Sequence, residues 1–168
     1  MRCVRYDSVM NETRTNPPVV TLDGLDRKII NELQDDGRQA FTTIARRLKV
    51  SEATVRKRVN RLLSKGAMQI VAAVDPLALG YVRAEIGIRV RGASLLKVSK
   101  RLEAVPEVSY IELVLGSYDL SISVTCRNNE DLLRVVDDAI RAIPGVEQVE
   151  ALSVLKVTKD IYRWPPEM

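Results

Sequence analysis

The chain has 168 residues, room for one domain or two small ones, and 46% of them are hydrophobic with a single Phe and a single Trp, so any core must be aliphatic. There is no histidine, which removes the commonest general base, the commonest metal ligand and every His-dependent triad. Cys3 and Cys126 form neither a CxxC pair nor a disulfide framework, no apolar run nears the roughly 18 residues of a membrane span, and the net charge of +4 is modest.

Residues 1–21 read as a disordered leader, polar and aperiodic around Asn16-Pro17-Pro18. They lack the apolar stretch of a secretory signal, which makes the cytoplasm the default location. Structure is expected to begin at 22-LDGLDRKIINELQDDGR-38. There Asp23 can cap a helix, Leu25, Ile29, Ile30 and Leu33 share one face, and Gly37 ends it. A second helix over 42–49 has Thr42 as its N-cap and turns Ile44, Ala45 and Leu48 inward. A third, 51-SEATVRKRVNRLLSKG-66, is capped by Ser51, buries Val55, Val59, Leu62 and Leu63, and stops at Gly66. Three short helices with a tight turn between the last two make a helix-turn-helix over 22–67.

The pattern changes at Met68. Residues 68–75 look strand-like and 76-PLALG-80 reads as a hinge, so 68–80 is taken as a linker. The order over 81–160 is strand (81–91), helix (94–105), strand (108–116), strand (119–127), helix (129–143) and strand (146–160). In the first strand Val82, Ala84, Ile86, Ile88 and Val90 alternate with polar neighbours. The βαββαβ order predicts a ferredoxin-like sheet with helices on one face, its other face covered by a second copy of the chain. Residues 161–168 are a short tail, and the whole is an α+β protein.

The charge is unevenly placed. Residues 1–75 hold 14 Lys and Arg against 9 Asp and Glu, whereas 76–168 hold 12 against 13. Between 46 and 66 there are eight cations (Arg46, Arg47, Lys49, Arg56, Lys57, Arg58, Arg61 and Lys65) against the single Glu52. Such a block points to a polyanion, and its place on the second helix of a helix-turn-helix points to duplex DNA. Opposite the apolar stripe of 51–66 lie Ala53, Lys57, Asn60, Arg61 and Ser64, flanked by Thr54, Arg58 and Arg56. Ala53, Thr54 and Lys57 are assigned to base edges, and Ser51, Arg46, Arg47, Arg56, Arg58 and Arg61 mainly to phosphates. Each has a plainer role open to it. Arg58 can pair with an acid such as Asp26, Ser51 is first a cap, Arg46 and Arg47 can simply face solvent, and Thr54 can do nothing beyond tolerating its site.

The segments 22-LDGLDRKIINELQDDGR-38, 44-IARRLKVSEATVRKRVNRLLSKGAMQ-69, 75-DPLALG-80 and 116-GSYDL-120 together resemble the leucine-responsive regulatory protein/AsnC family of transcription regulators, over about residues 22 to 160. The resemblance implies a winged helix-turn-helix and a C-terminal effector-binding, dimer-forming module, with tetramers or octamers built from dimers. It implies an amino acid or similar small molecule as effector and places it near Gly116, Ser117, Tyr118 and Asp119. Glycine there lets a ligand approach the backbone and Asp119 can receive an ammonium group, although a tight strand-to-strand turn would favour the same residues. One departure concerns the turn between the two DNA-binding helices, where the family usually has Gly and this chain has Lys49. Cofactor and metal are not expected. An enzyme of similar organisation, a sirohaem decarboxylase, would rely on histidine, which the chain lacks. An architectural protein that compacts DNA with little sequence preference remains open as the alternative.

Overall fold

A computed structural model describes residues 19–160. The expected 161–168 tail, and the leader before residue 19, lie outside the described residues. Over the described residues the chain divides into two compact units, 19–72 and 73–160.

The first unit is three helices: α1 (Gly24–Asp35), α2 (Phe41–Leu48) and α3 (Glu52–Ser64). Asp23 caps α1 reciprocally. Its Oδ1 accepts the N–H groups of Leu25 at 3.0 Å and Asp26 at 2.8 Å, and Asp26 Oδ2 accepts the N–H of Asp23 at 3.0 Å. The end of α1 differs from expectation. Gly37 does not adopt positive φ; Asp36 turns extended (φ −149°) and its Oδ1 accepts the Arg38 N–H at 2.9 Å, a local side-chain turn that stops the helix instead. Thr42 is likewise not the cap of α2. The helix starts one residue earlier, at Phe41, whose ring packs on the core, and Ala40 precedes it with no side-chain cap.

Lys49 takes the left-handed conformation (φ 56°, ψ 43°) that the turn demands. Its N–H donates to Arg46 O at 3.4 Å and that of Val50 to Ala45 O at 3.0 Å, the paired bonds of a Schellman cap. A side chain in this region costs about 1 kcal/mol relative to Gly. Lys49→Gly is therefore expected to raise unfolding free energy by up to about 1 kcal/mol in urea denaturation, while Lys49→Ala, which keeps Cβ, gains little. Equal effects of the two would show that the gain is not conformational. The cap of α3 forms as expected: Ser51 Oγ accepts the Thr54 N–H at 3.1 Å. At its other end Gly66 (φ 67°) and Ala67 donate back to Leu63 and Leu62, each at 3.0 Å. Ile29, Leu33, Ile44, Ala45, Val55 and Val59 form the small core, ringed by Leu25, Phe41, Leu48, Val50, Leu63 and Met68.

Residues 68–75 do not form a strand. No described strand runs within 19–72 to pair with them, and Val71 and Val74 stand exposed. Alternation marks a segment able to pair, but a ladder needs a neighbour. At the hinge Pro76 leads a 3₁₀ turn, Leu77–Leu79, which closes on Gly80 at φ 82°.

The second unit runs β1 (Val82–Val90), α4 (Leu95–Leu102), β2 (Val108–Leu113), β3 (Leu120–Cys126), α5 (Asn129–Arg134) and β4 (Val146–Ser153). Past Arg134 the helix loosens into a π segment, Val135–Ile140. The four strands are antiparallel in the order β2-β3-β1-β4, the ferredoxin-like arrangement. β2 and β4 end earlier than the sequence pattern suggests, at Leu113 and Ser153. Ala84, Ile86 and Ile88 of β1 and Leu120, Ile122 and Val124 of β3 are buried against Val98 and Leu102 of α4 and Val135, Val136 and Ile140 after α5. The cross-strand register therefore puts Glu85, Gly87, Arg89, Ser121, Ser123, Tyr110, Glu150 and Leu152 on the opposite face, which no helix of this unit covers among the described residues.

Candidate nucleic-acid interface and ligand loop

Burial of Val55, Val59 and Leu62 fixes which side of α3 faces outward. Ala53, Lys57 and Asn60 are exposed there and, with Glu52 and Arg56, line a shallow open depression. Lys57 makes no ion pair among the described residues, so its ammonium is available to a base edge. Thr54 is less free, since its Oγ1 lies 2.8 Å from Ser51 Oγ and the two hydroxyls share the helix cap. Asn60 joins the site although it was not among the predicted base readers. Its signal was its place opposite the stripe, and its amide can both donate and accept, as adenine recognition requires.

Two arginines assigned to phosphates have another occupation. Arg58 Nη1 donates to Asp23 Oδ2 at 2.5 Å and Asp26 Oδ1 at 3.3 Å, and Arg61 Nη2 donates to Asp26 Oδ2. Asp26 is wholly buried, so these two guanidinium groups neutralise it and bolt α3 to α1. A buried carboxylate demands paired cations before solvent or DNA can claim them. The backbone N–H of Asp26 and the Arg58 guanidinium hold the Asp23 carboxyl below its usual value against a smaller opposing effect of desolvation. The sign is that of a depressed acid. Its stabilising contribution is complete above the ordinary carboxylate value and is lost as pH falls through the lowered one.

Arg47 reaches Glu32 of α1 at 2.8 Å, and Arg56 reaches Glu52 at 2.5 Å while its guanidinium lies 5.5 Å from the centre of the Phe41 ring. Both arginines are more than half exposed, and exposed pairs of this kind are weak enough to be exchanged for a phosphate. Arg46, Lys49 and Lys65 have no ion-pair partner among the described residues. Of the cations in this region, Arg46, Lys49 and Lys65 are thus unpaired among the described residues and Arg47 and Arg56 only weakly held, whereas Arg58 and Arg61 are occupied by Asp26.

In the second unit the loop 114–119 joins β2 to β3. Gly116 has φ 154° with open space around it, and Ser117 is exposed. Asp119 is tied to β1: its Oδ2 accepts the Val90 N–H at 2.8 Å and its own N–H donates to Ile88 O at 3.0 Å. One of its carboxylate oxygens is thus committed to the backbone and does not wait for an ammonium group. Tyr118 lies flat over Gly87, where an added Cβ would come within 2.6 Å of the ring. Its hydroxyl donates to Glu150, and that bond, helped by burial, raises the phenol above its ordinary value. Arg89 donates to the carbonyl of Ser117. Gly87, Arg89 and Glu150 are members of this site that the sequence reasoning missed. A lone Gly amid Val and Ile in a strand was the available signal, since it marks a close approach. Beside them Ser123 Oγ donates to Glu85 Oε2 at 2.6 Å, and Arg83 Nη2 to Glu85 Oε1 at 2.8 Å.

A helix-turn-helix with a basic exposed helix, followed by an α+β unit with one uncovered sheet face, defines a two-part DNA-binding regulator. Residues 22–63 match the AsnC-type helix-turn-helix domain and residues 83–164 the Lrp/AsnC ligand-binding domain. The chain belongs to the Lrp/AsnC family of transcription regulators. It is 37% identical over 142 residues to an uncharacterised helix-turn-helix regulator of Pyrococcus abyssi, covering 83% of this chain and 90% of that one. It is 33% identical over 148 residues to the regulator FL11 of Pyrococcus horikoshii, covering 87% and 97%. In structure it is similar to AsnC of E. coli, with TM-score 0.76, 29% identity and coverage of 88% and 99%. It also shares its fold with a Neisseria meningitidis regulator solved with L-methionine, with TM-score 0.75, 24% identity and coverage of 88% and 98%. Among the described residues no helix is long and apolar enough to cross a membrane, and no cluster of His, Cys, Asp or Glu is placed to hold a metal.

Proposed function

We propose that the protein is a cytoplasmic, sequence-specific transcription regulator whose hold on duplex DNA is tuned by an amino acid or related small metabolite. The observation that carries the DNA half is the exposed side of α3. Lys57, Asn60 and Ala53 face outward there with no ion pair or side-chain hydrogen bond among the described residues, while Arg58 and Arg61 bolt the helix to α1. The effector half is supported by the ligand-binding family model and by the loop 116–119, whose backbone and Tyr118 ring are anchored to β1 and β4. The L-methionine complex of the Neisseria relative supports the ligand class. The uncovered sheet face, with Tyr110 and Leu152 more than half exposed, suits a second copy of the chain. A homodimer through that face, with tetramers or octamers above it, is the assembly we infer.

A second function is favoured by one specific finding. With the Thr54 hydroxyl held by Ser51, Lys57 and Asn60 are the polar side chains left on the exposed side of α3 to read bases. An architectural protein that compacts DNA and ignores metabolites would need no more.

A thermal-shift screen against the standard amino acids separates the two. A ligand that binds only the folded state raises the melting temperature, corresponding to about 2.7 kcal/mol at a hundredfold excess over Kd. Gly87→Ala, whose methyl must displace the Tyr118 ring, is expected to abolish that response while leaving DNA affinity without effector intact. Silence of the wild-type protein toward all of them supports the architectural function. A response that survives in Gly87→Ala moves the ligand site away from Tyr118.

A further inference from the structure

The DNA-facing side of α3 carries one side chain whose charge repels a phosphate. Glu52 is the single acid between residues 46 and 66, among eight cations. It opens α3, and it lines the outward depression together with Ala53, Arg56, Lys57 and Asn60. The helix dipole stabilises a carboxylate in this first turn. Its Oε1 accepts an N–H of Arg56 at 2.5 Å, while Oε2 accepts no hydrogen bond among the described residues. Helix stability does not account for the pair, which at 40% and 59% side-chain exposure contributes little. Arg56 has a second support in the Phe41 ring, 5.5 Å from its guanidinium, so it stays on this surface when it leaves Glu52 for a phosphate.

We propose that Glu52 reads a cytosine in the major groove and is a specificity-determining residue of the DNA site. The inference rests on the sequence-specific function proposed above and adds a base identity to it. Side chains at the N-terminal end of a recognition helix lie closest to base edges. Once Arg56 has left it, the carboxylate can only accept hydrogen bonds. Guanine shows O6 and N7 to the groove and thymine shows O4, all acceptors, so both repel it. Adenine offers its amino group beside the N7 acceptor, whereas cytosine offers its N4 amino group alone. Cytosine is therefore the base that suits the anion best. The same carboxylate repels the phosphates, so it weakens binding wherever that cytosine is missing. An acid in this basic surface raises discrimination and lowers overall affinity, an effect opposite in sign to that of every cation around it.

The full chain and a library of randomised duplexes, sequenced before and after capture by the protein, test it. Wild type, Glu52→Gln and Glu52→Ala are compared, and fluorescence anisotropy on the enriched duplex and its single-base substitutions gives the affinities. For wild type, replacing the read cytosine should weaken binding by about fivefold or more. In Glu52→Gln the preference at that one base pair should move to adenine, which a carboxamide meets at both N6 and N7. In Glu52→Ala it should fall below about twofold, with other positions unchanged and affinity for unselected duplex equal to or above that of wild type. Identical preferences in all three chains, with affinity raised uniformly or not at all, overturn the proposal and leave Glu52 as the tether of Arg56. Preference lost at every position in both variants also overturns it and assigns Glu52 to holding the helix. A wild type that enriches no sequence refutes the sequence-specific function and this assignment together, whereas an enriched duplex read identically by the variants refutes only the assignment.

Discussion

Replacing Asp26 with Ala is expected to remove about 2–3 kcal/mol from the stability of the helix-turn-helix unit. The carboxylate accepts the Asp23 N–H and neutralises both Arg58 and Arg61, and it has no exposure at all. Removing one partner from a fully buried pair costs more, up to about 5 kcal/mol. Here Arg58 and Arg61 keep about a third of their side-chain surface in water, so they can rehydrate when the anion is lost. The loss is nonetheless large for a unit this small, because a core of so few residues supplies only a few kcal/mol. Urea denaturation followed by helical circular dichroism reads it directly. In a double-mutant cycle with Arg61→Met, the coupling energy should exceed 1 kcal/mol. A loss below about 0.5 kcal/mol would show that the clamp does not hold α3 to α1.

The second large effect concerns DNA. Lys57→Ala is expected to weaken binding to the cognate operator by about 1–3 kcal/mol, from roughly fivefold to roughly 150-fold, and to weaken random duplex much less. Its ammonium has no ion-pair partner among the described residues, so nothing there offsets the lost contact. Arg46→Ala, by contrast, should weaken all sequences alike and reduce the salt slope by about 1, as a lost phosphate contact does. Fluorescence anisotropy on matched duplexes distinguishes the two patterns. Uniform losses for both variants would take Lys57 off the base edges and strengthen the architectural alternative.

How much of this was legible in the sequence depended on the kind of signal. The stripe Val55, Val59, Leu62 and the alternation of Ala84, Ile86 and Ile88 are periodic, and periodicity fixes which side of an element is buried. From that came the three helices, the four strands and the outward face of α3. Side-chain partners across elements carry no period. Arg61 lies opposite the apolar stripe on a helical wheel, yet its long side chain reaches Asp26 thirty-five residues away, and a wheel has no way to show that. The same holds for Asp119, whose carboxylate serves Val90, and for Tyr118, whose seat is created by the missing side chain of Gly87. Helix ends fell between the two. Ser51 and Gly66 behaved as their chemistry suggests, whereas Asp36 took over from Gly37 because its carboxylate offered the Arg38 N–H another partner, and α2 begins at Phe41 rather than after Thr42, its ring packed on the core with no side-chain cap before it.

The division of α3 into a clamped side and a DNA-facing side is tested most directly by the salt dependence of binding to the duplex upstream of the protein's own gene. With Arg46, Arg47, Lys49, Arg56 and Lys65 as phosphate contacts, log K should fall against log salt with a slope of about −4 to −5 per subunit. Arg61→Ala should leave that slope unchanged, and the upstream duplex should outcompete a scrambled one. A flat salt response, or a slope that drops when Arg61 is removed, would contradict the division of the helix into those two sides.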